Sequence, residues 1–150
     1  LVKAAVKNKF KYYNIDSDRI DINYSNTKKE YIQTYNIIDV VLDPFPYNGH
    51  TTSCESLWMG VPFITLEGKT YHERVGTSLL IHLELKELIA KNIDSYKTKV
   101  VELVNDKKRL NNYYETIYNK IKNHPMSQHK LYVKSIEDAY EDIYKKHLIK

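Results

Sequence analysis

At 150 residues the chain has the length of one domain able to bury a real core. Its net charge of +4 is spread along the chain rather than massed in one arm. That is a solvated lysine surface, and no motif for base or phosphate-backbone readout accompanies it to suggest nucleic acid. One cysteine, Cys54, excludes an internal disulfide, and the lack of a long apolar stretch or signal-like start gives the expectation of a soluble, cytoplasmic protein with no membrane partner.

Residues 1–13 suit a helix with Val2, Val6 and Phe10 on one face, ended by the Asn14-Ile15-Asp16-Ser17 turn and followed by a short strand at Arg19–Ile22. Thr27 is placed to cap a helix over 28–36. Ile37-Ile38-Asp39-Val40-Val41-Leu42 is a nearly continuous apolar run, as in a parallel strand buried on both faces, and predicts a strand at 38–43. Pro44, Pro46, Asn48 and Gly49 then break the chain before a helix over 51–60 and a strand at 62–66, a right-handed β-α-β unit. Three strands joined by helices imply an α/β part with a parallel sheet, covering about residues 1–66. From Tyr71 only helices are expected, at about 71–81, 85–91, 94–105, 107–122 and 129–147, which makes 67–150 a helical part. In the last of them Tyr132, Ile136, Ala139, Tyr140 and Ile143 recur at helical spacing as a packing stripe rather than a ligand box.

The stretch from Asp43 to Pro62 carries the chemistry. A strand there ends in a loop that opens a helix, and Thr51, Thr52 and Ser53 supply hydroxyls for its N-cap. Such a start presents unpaired N–H groups and the positive end of the helix dipole, which favours an anion by about 0.3–1 kcal/mol when exposed. Glu55 lies one turn further in, where a carboxylate can accept from sugar hydroxyls. Each residue also has a plainer reading: Thr51 and Thr52 as a simple cap pair, His50 as a solvated loop histidine, Glu55 as a surface carboxylate. Cys54 reads as a small buried residue rather than a nucleophile, since no base is assigned to it. Arg74 reads as a brace for the loop, and His50, His72 and His82 lack metal-ligand spacing.

The ordered pattern from Asp39 to Pro62, followed by Gly68, Arg74-Val75-Gly76 and Ser78-Leu79-Leu80, resembles the C-terminal catalytic lobe of the O-GlcNAc transferase and SPINDLY-type glycosyltransferases, glycosyltransferase family 41. The likeness continues more weakly through Glu87–Asn92 and then as spaced helical positions to about Tyr144. It implies the GT-B architecture, two Rossmann-like lobes with the active site between them and tetratricopeptide repeats ahead of both. Neither a first lobe nor a repeat of about 34 residues is visible, and the chain opens on Leu1 rather than Met, so it is expected to be part of the second lobe. The last helix would then pack against the sheet or against the missing lobe.

By the same resemblance, His50, Thr51 and Thr52 would contact the diphosphate of a UDP-sugar, Glu55 the ribose hydroxyls, and Asn48 and Gly49 would shape the turn. Lys28 and Tyr31 match a stretch that holds uracil and ribose; Tyr31 stands where many members have a histidine, and Thr34 where animal members have an arginine. The lysine that the family directs at the diphosphate, and the first-lobe histidines, would lie before residue 1. No catalytic residue is therefore assigned with certainty, beyond the phosphate-stabilising role of His50, Thr51 and Thr52. No metal or other cofactor is expected. The function implied is the UDP-GlcNAc or UDP-hexose binding half of an inverting protein O-glycosyltransferase acting on Ser/Thr, the isolated piece being inactive. The alternatives are a GT-B member using GDP-fucose or glucosylating Asn, and a non-catalytic nucleotide-binding or interaction module.

Overall fold

A computed structural model describes residues 2–148, which fall into two compact units, Leu1–Gln33 and Thr34–Lys150. In the first unit, helix α1 spans Val2–Tyr12, within the expected 1–13; residue 1 lies outside the described residues. Asn14, with φ of 57°, ends it in the left-handed conformation that asparagine tolerates. No residue of α1 is buried, and Val2 and Phe10 of the expected apolar face are exposed.

The strand expected at Arg19–Ile22 is not formed. Asp16 accepts a hydrogen bond from Asp18 N at 3.1 Å and folds Ser17–Arg19 into a single 3-10 turn, and residues 20–22 pair with no strand among the described residues. Helix α2, Lys28–Gln33, is capped as expected: Thr27 Oγ1 accepts from Glu30 N at 3.2 Å while the Glu30 carboxylate accepts from Asn26 N at 2.9 Å. It stops short of 36, and Thr34–Ile37 continue as 3-10 helix.

The second unit holds the sheet, three parallel strands in the order β1 (Val41–Leu42), β2 (Phe63–Leu66) and β3 (Ile89–Ala90). Strand β1 is shorter than the apolar run because of its neighbour. Val41 N donates to Pro62 O and Asp43 N to Ile64 O, but Pro62 has no N–H to return and Val61 N turns back to Ser56 O, so the ladder cannot start earlier. Between β1 and β2 runs helix α3, Thr51–Trp58, which ends two residues before the expected 60 because Gly60, with φ of 78°, takes the left-handed position just past its end.

Of the helix expected over 85–91 only a 3-10 turn at Lys86–Leu88 forms, and the third strand follows it at once, which corrects the purely helical view of 67–150. Leu85, Leu88, Ile89 and Ala90 are all buried, and a short apolar run of this kind does not distinguish helix from strand. The open edge of β2 at Thr65 and Leu66 decides it by accepting Ile89 and Ala90 as partners. Around the sheet pack α4 (Val75–His82), α5 (Ile93–Asn105) and α6 (Lys107–Asn123); α5 is capped by Asn92 with Ser95 and α6 by Asp106, while α4 follows a 3-10 turn at Tyr71–Glu73 that Thr70 and Glu73 cap and starts at Arg74 without a side-chain cap. They close a core of Leu57, Phe63, Ile64, Leu80, Leu88, Leu103 and Ile117, each 1% exposed or less. Helix α7, His129–Leu148, buries none of its residues. Its stripe of Tyr132, Ile136, Tyr140 and Ile143 is exposed, so the packing against the sheet expected of it is not observed.

Candidate functional site

The C-terminal end of β1 delivers Asp43 to the floor of the loop before α3, where it is 1% exposed. A carboxylate at that depth needs partners, and it has three. Oδ1 accepts from Gly49 N at 2.8 Å and Ser53 Oγ at 3.4 Å, and Oδ2 accepts from Thr65 Oγ1 of β2 at 2.6 Å. Tyr96 of α5 donates its hydroxyl to the main-chain O of Asp43 at 3.1 Å. Burial pushes the Asp43 carboxyl above its ordinary value, against the hydrogen bonds from Thr65, Gly49 and Ser53 and the charge of His50. Burial and the same Asp43 charge push Tyr96 up to about 12.

Asn48 is the second brace. Its side chain, also 1% exposed, donates to Pro44 O at 3.0 Å and accepts from Gly76 N at 3.4 Å, while Asn48 N donates to His72 O at 2.9 Å. These bonds tie the loop before α3 to the start of α4. Gly76 belongs to the same contact: a Cβ there would lie 2.4 Å from Asp43 Oδ2 and 2.5 Å from Thr65 Oγ1.

The hydroxyls expected to cap α3 do not. His50 is the N-cap residue and makes no side-chain cap; Ser53 turns its hydroxyl to Asp43, and Thr51 and Thr52 sit exposed in the first turn. The pull of Asp43 on Gly49 and Ser53 is the physical reason, since it winds the chain into helix before a threonine can take the cap position. Cys54 N is the first amide to close an intrahelical bond, to His50 O at 3.1 Å. Among the described residues nothing accepts from the N–H groups of Thr51, Thr52 and Ser53. This is the orphan-donor arrangement that suits an anion. Tyr35, buried beneath, donates to Thr52 O at 3.2 Å and steadies the same turn.

His50 Nδ1 lies 3.2 Å from Asn48 O, and because a carbonyl can only accept, that nitrogen carries the proton. Nε2 is left for a ligand. Rings crowd around it: Tyr47 stacks on His72 at 5.5 Å and also lies 5.5 Å from His50, while Tyr71 stands 6.0 Å from His50. Glu55 lies in the second turn of α3, half-buried. Cys54 is half-buried, and burial with the Glu55 charge raises its thiol, the opposite of an activated nucleophile. Arg74 donates its main-chain N–H to Tyr71 O at 3.0 Å, and with Tyr71, Ser78 and His82 it borders an open groove of about 560 Å³ along α4.

His50, Thr51, Thr52 and Glu55 are thus carried by one helix start, with Asn48 and Gly49 beneath them. Lys28 and Tyr31 belong to α2 in the first unit. Asp43, Thr65 and Tyr96 were not singled out from sequence. A charged residue closing a buried strand was the available signal for Asp43; Thr65 and Tyr96 offered none. Among the described residues no group of three or more His, Cys, Asp or Glu gathers as metal ligands would, and no helix is long and apolar enough to cross a membrane.

Residues 2–136 match Glycosyl transferase family 41. Proteins named probable UDP-N-acetylglucosamine–peptide N-acetylglucosaminyltransferase SPINDLY are 34% identical over 118 residues in Solanum lycopersicum and 36% over 118 residues in Arabidopsis thaliana, each alignment covering 79% of this chain. The UDP-N-acetylglucosamine–peptide N-acetylglucosaminyltransferase of Caenorhabditis elegans is 30% identical over 133 residues, 89% of the chain. The chain spans only 13% of the length of the two plant relatives and 12% of the nematode one. A solved structure of a Thermobaculum terrenum O-GlcNAc transferase point mutant superposes with a TM-score of 0.88 at 31% identity, over 95% of this chain and 27% of that one.

Proposed function

Because the chain belongs to glycosyl transferase family 41, an O-GlcNAc transferase-like group whose GT-B lobe its α/β fold reproduces, we propose that it is the donor-binding half of an inverting protein O-glycosyltransferase. The donor is UDP-GlcNAc or a related UDP-hexose, and the acceptor is a Ser or Thr hydroxyl of a protein. The first GT-B lobe and tetratricopeptide repeats belong to the rest of a cytoplasmic protein of which this chain spans a small part. One observation carries the reading: the start of α3 is held open by Asp43 and Asn48, with the Thr51, Thr52 and Ser53 N–H groups unpartnered among the described residues.

The chemistry follows from what such a start offers. When the acceptor oxygen bonds to the anomeric carbon, its hydroxyl proton passes to solvent or to the departing phosphate, the bond from that carbon to the β-phosphate oxygen breaks, and UDP leaves with the electron pair. Negative charge grows on the β-phosphate. Fixed donors aimed at it lower the barrier, and they need no reorganisation if they are already in place. The reading gives this work to the α3 N–H groups and the Thr51 and Thr52 hydroxyls, with His50 beside them, without a metal ion. Glu55, one turn along, would accept from the ribose hydroxyls.

Titrating the chain with UDP while following backbone amide resonances tests the placement. Shifts should concentrate between Gly49 and Glu55. Shifts confined to α5, α6 and α7 would put the nucleotide elsewhere and end this reading.

A further inference from the structure

The buried carboxylate of Asp43 lies outside every role assigned so far, yet more of the loop converges on it than on any residue facing the proposed ligand. Its oxygens collect Gly49 N at 2.8 Å from the loop, Ser53 Oγ at 3.4 Å from α3 and Thr65 Oγ1 at 2.6 Å from β2. Gly76 of α4 is packed so closely that a Cβ would come within 2.4 Å of Oδ2, and Tyr96 of α5 fixes the Asp43 carbonyl. Among the described residues the ionisable side chains facing it are His50 and Tyr96, beside the non-ionisable Ser53, Thr65 and Gly76.

A carboxylate behind an anion site is electrostatically wrong: through space it repels a diphosphate. Its presence demands a compensating benefit, and the geometry supplies one. The residue before His50 and the third residue of α3 are both held from one oxygen atom, which fixes the direction of the intervening N–H groups. A loop containing glycine and neighbouring prolines would otherwise spend conformational entropy on ordering when a ligand arrives.

We propose that Asp43 is the positioning residue of this site, its buried carboxylate holding Gly49 and Ser53 so that the first-turn N–H groups of α3 converge before any nucleotide binds. The inference rests on the donor-site reading for its ligand, though not for its geometry. It places Asp43 behind the contact layer, acting through Gly49 and Ser53 and never touching the donor.

The test uses the whole chain and UDP as probe, with Asp43→Asn, Asp43→Ala and Ser53→Ala compared to wild type by calorimetric titration and, without nucleotide, by amide hydrogen exchange and the pH dependence of the Gly49 amide shift. Asp43→Asn keeps one acceptor oxygen but loses the charge-assisted bonds, so UDP should bind about fivefold to twentyfold more weakly. Asp43→Ala should be weaker still, the conservative variant giving partial rescue. In wild type the Gly49 amide shift should titrate with the Asp43 carboxyl, and in Asp43→Asn that titration should vanish while Gly49 exchanges faster. If the aspartate variants do not fold, Ser53→Ala removes one donor and no charge, and should still weaken UDP by about twofold to fivefold. UDP binding that is unchanged or tighter in folded Asp43→Asn would show the carboxylate acting as a mere repulsive charge, and the proposal falls. A wild type that binds no UDP defeats the donor-site reading instead; the nucleotide-free Gly49 measurements still decide whether Asp43 positions the loop, and a Gly49 amide indifferent to Asp43→Asn refutes it.

Discussion

Gly76→Ala is the sharpest probe of the brace between the two loops. The new Cβ would lie 2.4 Å from Asp43 Oδ2, 2.5 Å from Thr65 Oγ1 and 2.9 Å from Thr65 Cβ. None of these atoms has room to retreat, since Asp43 is 1% and Thr65 0% exposed. Relief requires breaking the bond from Thr65 Oγ1 to Asp43. A hydrogen bond to a charged group is worth about 1.5–3 kcal/mol, and forcing a methyl into a filled core costs about 1–3 kcal/mol. Alanine returns up to about 1 kcal/mol in helix propensity within α4, so the net loss should be about 2–4 kcal/mol. In urea that lowers the unfolding midpoint by roughly 1–2 M at an m-value typical of a small protein. Gly49→Ala is the control. Its Cβ would meet Ser53 Oγ at 2.5 Å, Thr52 Oγ1 at 2.7 Å and Asp43 Oδ1 at 3.3 Å; the exposed Thr52 tip can rotate away, and moving Ser53 gives up only its 3.4 Å bond to Asp43, so about 1–1.5 kcal/mol is expected. Equal midpoints for wild type and Gly76→Ala, or a larger loss at Gly49 than at Gly76, would show that the close packing of α4 on Asp43 is not real.

The remaining expectations concern ligand and pH. Glu55→Ala should weaken UDP by about 10- to 150-fold, corresponding to roughly 1.5–3 kcal/mol for hydrogen bonds to a charged group, with an unchanged melting temperature; equal affinity would return Glu55 to the surface. In the complete protein, Thr51→Val with Thr52→Val should reduce kcat by about 10²–10³ per essential donor and exceed any loss in UDP affinity, as expected of groups facing charge that develops only in the transition state. Transfer that falls no further than binding would remove that role. Glu73, whose carboxyl is held below its ordinary value by the Thr70 and Lys69 N–H groups, contributes stability that is present above the unfolded carboxylate value and lost as pH falls through the folded one. The melting-temperature difference between wild type and Glu73→Gln should therefore shrink on acidification below about pH 4.5; a difference that stays constant with pH would contradict it.

The local parts of this protein were written in short-range chemistry. The run of Pro44, Pro46, Asn48 and Gly49 before Thr51 can only be a loop, Thr27 with Glu30 is a capping pair that works wherever the chain places it, and the apolar periodicity of α5 and α6 marks helices regardless of what covers them. The order of residues from Asp39 to Pro62 likewise carried the family likeness, because a phosphate-binding turn constrains each position of a contiguous stretch. What that stretch could not specify was anything arranged across the fold. Strand identity at Ile89–Ala90 depended on the open edge of β2, which lies more than 20 residues away, and the Arg19–Ile22 alternation found no such edge. Burial of Asp43 depended on Thr65, Gly76 and Tyr96 arriving from three different elements. That burial in turn decided that Ser53 would brace the loop instead of capping the helix. A hydrogen bond needs its partner within about 3 Å, and only the packed chain determines which distant residue comes that near.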